Sequence, residues 1–272
     1  MYWHKVKTML IVLFALINAF LVGMICFGKI QEAVLIKKMN NDTRAVLVKN
    51  GITIDMDIPR RAGEMPSVLL SAVFESDEAA VDAFLGGNAD KSEAKDGGTL
   101  YLKGDKSLFV YGGYIEFDSG SMKESAAPVK KDIKKAEKLL EGMGINTKNL
   151  HGEINGNKIV FTYSLGKNRK IFADLELSLA GDTLQSARGY LLSAQKGEEK
   201  LAIRPAAEAL VEFVQNNQKE SMGNMHIKSV ALGYTLFLSD TKVAFTSAEA
   251  IPAWVITIEN GQNIYYDARK NI

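Results

Sequence analysis

Cysteine is almost missing from this sequence. Cys26 stands alone in 272 residues, which excludes an intrachain disulfide, a Cys-rich zinc site and a CxxC redox pair. Proline is scarce too, at 5, too few for a long Pro-rich linker between domains. No sign of charge predominates: 33 Lys and Arg face 32 Asp and Glu, a formal net charge of +1. That balance excludes a strongly basic nucleic-acid binder and an acidic disordered tail. The 3 histidines, His4, His151 and His226, have no second histidine or carboxylate at HExxH spacing, which argues against a zinc enzyme. No GxSxG elbow, Gly-rich phosphate loop or GxGxxG occurs, so the motifs of acyl transfer and nucleotide binding are missing. What is present is an apolar fraction of 47% with a mean hydropathy of −0.03. The length permits one large domain or two smaller ones.

The apolar residues are concentrated at one end. Met9 to Phe27 (MLIVLFALINAFLVGMICF) contains no charge, and at about 1.5 Å per residue it spans roughly 28 Å, close to the hydrocarbon thickness of a bilayer. A secretory signal would have a shorter core and a small-x-small cleavage site; here Gly28 is followed by Lys29, Ile30 and Gln31. A lipoprotein signal requires a small residue before its cysteine, and Ile25 precedes Cys26. The run therefore reads as an uncleaved single-pass anchor over 9–28. Lys5 and Lys7 place residues 1–8 in the cytoplasm by the positive-inside rule, with Tyr2 and Trp3 suited to the interfacial belt. The chain from Lys29 onward is expected to be extracytoplasmic.

One face of the span differs from the rest. Ala15, Asn18, Ala19, Val22, Gly23 and Cys26 recur at helical spacing. Small residues at 15, 19 and 23 let a second helix approach closely, and Asn18 can hydrogen-bond across that contact. Leu13, Leu16, Phe20, Met24 and Phe27 form an opposite, lipid-suited side. Ala15, Asn18, Ala19, Val22 and Gly23 are the candidate partner-binding residues.

The rest reads as an α+β ectodomain of antiparallel sheets, each covered by a helix. A helical stalk over 29–50 is expected to break at Asn40-Asn41-Asp42 and to end at Gly51. The alternation of Ile52, Ile54, Met56 and Ile58 predicts a half-buried strand stopped by Pro59. A strand at Val68–Phe74, a helix at Asp77–Leu85, a mobile loop over Gly86–Gly98 and hairpin strands at 100–103, 108–111 and 114–118 complete an N-terminal subdomain, 51–124. Ser119–Ala127 reads as a boundary to a C-terminal region, 125–272. There Pro128 and Pro205 each open an amphipathic helix. Strands follow the first at 158–164, 171–179 and 184–193, and the second at 227–238, 253–259 and 262–268. Asn260-Gly261 joins the last pair as a hairpin turn. Two helix–strand–strand–strand units, the second from about 204, are the expected organisation.

Three further candidates for chemistry are weak. Ser193-Ala-Gln-Lys196 matches SxxK, but the serine ends a predicted strand and no KTG is present. Asp55 and Asp57 fall on the outer side of a strand, where solvated carboxylates are the norm. Trp254, between Ala253 and Val255, reads as core. No catalytic, metal or cofactor residue is assigned, and the chain is expected not to be an enzyme.

At the N-terminus Trp3, Lys7-Thr8 and the apolar run with Asn18, Phe20 and Leu21, then Lys49-Asn-Gly-Ile52 and Asp57-Ile58-Pro59, resemble the YycI family. At the C-terminus Pro252-Ala253-Trp254, the Asn-Gly turn and Tyr265-Tyr266-Asp267-Ala268 are similar to the closing hairpin of that family, of its YycH-type sister proteins and of PepSY-like modules. The resemblance implies a non-enzymatic, membrane-anchored regulator of an essential sensor histidine kinase in Gram-positive bacteria, the YycFG type. Its membrane helix would pack with those of the kinase and of the sister protein, and its ectodomain would dimerise with the sister's. The alternative is a tethered PepSY-like inhibitor or chaperone of an exported hydrolase.

Overall fold

The computed structural model describes residues 2–60, 63–94, 97–120, 127–166, 170–217, 225–236 and 246–270. The chain opens with a single helix, α1 (Tyr2–Lys49), followed by β1 (Ile52–Ile54), β2 (Glu64–Ala72), α2 (Asp77–Leu85), β3 (Asp90–Glu93), β4 (Thr99–Lys103), β5 (Lys106–Tyr111) and β6 (Tyr114–Asp118). It continues with α3 (Lys130–Gly142), β7 (Leu150–Asn155), β8 (Lys158–Ser164), β9 (Lys170–Ala180), β10 (Thr183–Tyr190) and β11 (Leu192–Ala202). Last come α4 (Ala206–Asn217), β12 (Met225–Thr235), β13 (Ser247–Glu249), β14 (Ile251–Ile258) and β15 (Asn263–Asp267). The class is α+β, with a long apolar N-terminal helix followed by mostly antiparallel sheet.

The chain forms two units. The first comprises residues 1–62, 205–229 and 258–261. In it α1 packs against α4 and β1, and β1 runs parallel to the start of β12, with Ile52, Thr53 and Ile54 opposite Met225, His226 and Ile227. The expected break at Asn40-Asn41-Asp42 does not occur, because tertiary partners use the polar groups that would otherwise compete with the helix backbone. The Asn40 amide donates to the Ile58 carbonyl at 3.0 Å, and Thr43 is buried. Helix α1 ends as expected: Gly51 sits at φ 74°, the left-handed conformation that favours glycine after a helix.

The second unit comprises residues 63–204, 230–257 and 262–272. Its main sheet has the order β15-β14-β12-β9-β10-β6-β5-β4-β3, with β8 also paired to β9 and β7 to β8. Strand β9 serves two neighbours along one edge: Ile171 and Phe172 pair with Tyr234 and Thr235 of β12, while 175–180 pair with β10. A smaller sheet has the order β11-β2-β13. Both α2 and α3 lie on the large sheet, α2 against β5 and α3 against β7, β9 and β10. This corrects the expectation of one helix per sheet.

Other differences have local causes. Strand β3 occupies part of the expected loop over 86–98; its sequence, Asp-Lys-Ser-Glu, has no strand pattern, yet it pairs with β4 from Asp90–Leu102 to Glu93–Thr99. A short charged strand at a sheet edge discourages pairing with a further chain. The expected strand 184–193 is two strands. At Leu191 the chain leaves the large sheet for the small one, with the Leu191 amide donating to the Gly113 carbonyl at 2.9 Å and its carbonyl accepting from Val73. Strands β7 and β13 have no counterpart among the expected strands. Five strands, β7 to β11, therefore separate α3 from α4, so the repeat of a helix and three strands does not hold in the element count. The closing hairpin matches: β14 and β15 pair from Ala253–Asp267 to Thr257–Asn263, with Gly261 at φ 85° in the turn.

Trp254 is core, 1% exposed, and its indole Nε1–H donates to the Arg204 carbonyl at 2.9 Å. Replacing it with phenylalanine removes that donor and leaves a cavity, a cost of about 1–3 kcal/mol. The expected result of Trp254→Phe is a melting temperature lower by about 2–4 °C per kcal/mol, measured by thermal unfolding.

Candidate functional site

Among the described residues α1 is long and apolar enough to cross a membrane. The helical repeat brings Ala15, Asn18, Ala19, Val22 and Gly23 to one side, and all five are exposed. Nothing in the chain lies within 4 Å of where a Gly23 side chain would begin. The Asn18 amide donates one hydrogen to the Phe14 carbonyl of its own helix at 2.9 Å, which leaves its second N–H and its amide oxygen for a partner. The opposite side, with Leu16, Phe20 and Met24, is equally exposed. At the N-terminal end the Lys7 ammonium lies 5.9 Å over the Trp3 ring, within cation–π reach.

At its other end the same helix is clasped within the first unit. Leu47 is fully buried. The Arg44 guanidinium donates to the carbonyls of Met56 at 2.9 Å and Ile54 at 3.3 Å, and lies 3.9 Å from the Asp57 carboxylate. One side chain thus ties the segment after β1 back onto the helix. Next to it the Thr53 hydroxyl lies 2.9 Å from His226 Nδ1, and His226 Nε2 is 3.7 Å from the Asp55 carboxylate. With α1 unbroken, span and clasp are parts of one rod, about 72 Å long at 1.5 Å per residue. Removing the Arg44 fork is expected to loosen the clasp locally. In Arg44→Met the amides of residues 52–58 should exchange roughly five- to tenfold faster, for a loss of about 1 kcal/mol, read by hydrogen exchange.

The weak candidates for chemistry separate in the structure. Ser193 and Lys196 both lie on β11, opposite Ser71 and Val68 of β2, so they do not share the helical turn that SxxK chemistry requires. Asp55 and Asp57 point to solvent, 88% and 92% exposed, each beside a basic side chain. His226 belongs to the clasp and His151 to β7. No group of three or more His, Cys, Asp or Glu that could hold a metal occurs among the described residues. Sequence reasoning missed Arg44, which reads as one more charge on a solvated stalk; only its distance from the carbonyls beyond β1 reveals the role.

Helix α1, a candidate span that ends in the clasp of an α+β domain, is consistent with a single-pass membrane protein. The chain belongs to the YycI family: the model of that family, described as YycI protein, matches residues 30–269. This is a family of regulators associated with the YycFG two-component system. The match begins after the apolar run, so it carries the stalk and the domain and leaves the small-residue face to be argued on its own. No curated protein sequence matches the chain.

Proposed function

We propose that this protein regulates the sensor histidine kinase of a YycFG-type system without catalysing a reaction, by packing its membrane helix against those of the kinase and of a YycH-like sister protein. The observation that carries this reading is the unbroken α1, with an unpartnered small-residue face at one end and a clasp at the other. Lys5 and Lys7 set the orientation, N-terminus cytoplasmic and domain outside, and the domain dimerises with that of the sister protein.

Magnitudes define what such a contact does. A polar or close-packed helix contact in a membrane contributes about 1–2 kcal/mol. That shifts a two-state kinase by roughly five- to thirtyfold, whereas moving it from 1:99 to 99:1 takes about 5.5 kcal/mol. The protein therefore biases a kinase already poised between conformations. The test is a cross-linking scan in a Cys26→Ser background: cysteines at 15, 19 and 23 should capture the kinase or the sister helix more often than cysteines at 16, 20 and 24. Equal capture from both sides would overturn the packing model. Full function after exchange of the span for an unrelated one would favour a tethered inhibitor or chaperone instead.

A further inference from the structure

The second unit holds a groove of about 650 Å³, within the range of small-molecule sites. It is independent of the membrane helix and of the regulatory reading above. Thr162 and Phe172 line it, on the sheet face opposite Phe161 and Leu175, which are buried. Phe172 is the apolar side chain of that face, with Ala231 beside it on β12; Leu150 and Leu232 also line the groove, from positions in register with the buried face, Leu150 opposite Tyr163 and Leu232 two residues before Tyr234.

The floor depends on a glycine. A side chain at Gly233 would meet both the Lys170 carbonyl oxygen and the Phe172 ring at 2.5 Å. The bare backbone of β12 is what gives that ring its place. The Tyr265 ring stands edge-on to Phe172, with centroids 6.3 Å apart, and fixes its orientation.

The rim is basic. Lys148, His151 and Lys170 line the groove and are exposed, and none of them has an ion-pair partner among the described residues. The neighbouring carboxylate, Asp174, accepts from the Thr162 hydroxyl at 3.0 Å; desolvation pushes its proton affinity up, and the Lys170 charge beside it pulls the other way.

We propose that this groove binds an amphiphile with a phosphate-class anionic head and an apolar tail, the tail on Phe172 and Ala231 and the head between Lys148 and Lys170. A free anion would leave the apolar floor wet, and an uncharged apolar ligand would leave the cations without a counter-charge. An ionised head between two lysines makes the stronger, charge-assisted kind of hydrogen bond, and the tail is driven onto the floor by the area it removes from water.

The experiment is calorimetric titration of the full chain, held in phosphatidylcholine nanodiscs, with water-soluble dihexanoyl phosphatidylglycerol, subtracting empty nanodiscs. Saturable binding is expected. It should weaken at least tenfold in Lys148→Glu/Lys170→Glu, whose side chains are exposed and whose change should leave the melting temperature unaltered. It should also weaken at least tenfold in Phe172→Ala. Equal binding of dihexanoyl phosphatidylcholine would overturn the proposal, as would wild-type affinity in the charge-reversed variant. Displacement of the amphiphile by inorganic phosphate at equal concentration would show a free-anion site and overturn it as well.

Discussion

Leucine at Ala15, Ala19 and Gly23 together should abolish the influence of this protein on its kinase while leaving membrane insertion intact. Close approach of two membrane helices depends on small residues at the contact, because lipid tails are as apolar as leucine and hydrophobicity supplies no preference for a helix over lipid. Three leucines on one side hold the helices apart and remove the packing and any hydrogen bond to the Asn18 oxygen. They also make the span more apolar, so insertion is not at risk. A loss of about 1–3 kcal/mol of coupling corresponds to a five- to 150-fold change. Kinase autophosphorylation in proteoliposomes containing the wild-type or substituted protein measures it. The expected result is a rate equal to that of kinase without this protein, in whichever direction the wild type moves it. An unchanged effect of the triple variant would sink the proposed contact, and the same substitutions at Leu16, Phe20 and Met24 to other large apolar residues should do nothing.

A proline at Asn41 should have nearly the same functional effect from a different place. Asn41 is exposed and stands in α1 between the span and the clasp. Proline there removes one backbone hydrogen bond and collides with the carbonyl one turn earlier, a cost of about 3 kcal/mol or more, taken up as a kink. The contacts of Arg44 with Ile54 and Met56 and the buried Leu47 hold the far side of the kink. The first unit should therefore stay folded while the direction of the span is no longer fixed by it. The expected outcome is wild-type protein level, cross-linking at 15, 19 and 23 retained, and autophosphorylation shifted by less than a quarter of the wild-type effect. Asn41→Ala, which keeps the helix, should behave as wild type. If the proline variant regulates normally, rigidity of the rod is irrelevant and the helix face acts alone.

Much of the architecture was legible in local pattern. The nineteen uncharged residues from Met9 to Phe27 read as a candidate span from local pattern, because a charge-free apolar run of that length is costly to leave in water, and they lie in one helix. Helix α2 falls at Asp77–Leu85 as expected. Ser76 caps its first turn and Gly86 closes it at φ 70°, signals that lie within ten residues of one another. The closing hairpin is as plain in place, since Asn260-Gly261 marks its turn; its register, with Thr257 opposite Asn263, is that of a three-residue loop closed by Gly261 at φ 85°.

The misses share a different origin. Asn40-Asn41-Asp42 would break an isolated helix; it does not break this one because the Ile58 carbonyl, eighteen residues away, accepts from the Asn40 amide and neighbouring Arg44 finds acceptors in and beyond β1. Strand β3 has no β-forming sequence and exists because β4 offers it an edge. The crossing at Leu191 follows from hydrogen bonds to Gly113 and Val73, residues remote in sequence. The groove floor joins Phe172 to Gly233, sixty-one positions apart.

Local sequence was enough for two parts: a charge-free helix with one small-residue face, suited to a bilayer, and a charge-balanced α+β domain without thiols. Hydrophobic periodicity, helix caps and turn residues are local and need no knowledge of the fold. Folding decided whether the span and the clasp are one rod, which strands share a sheet, and where apolar side chains meet a basic rim. Those depend on hydrogen-bond partners and packing neighbours brought together only by folding, and no window of sequence contains both halves of such a contact.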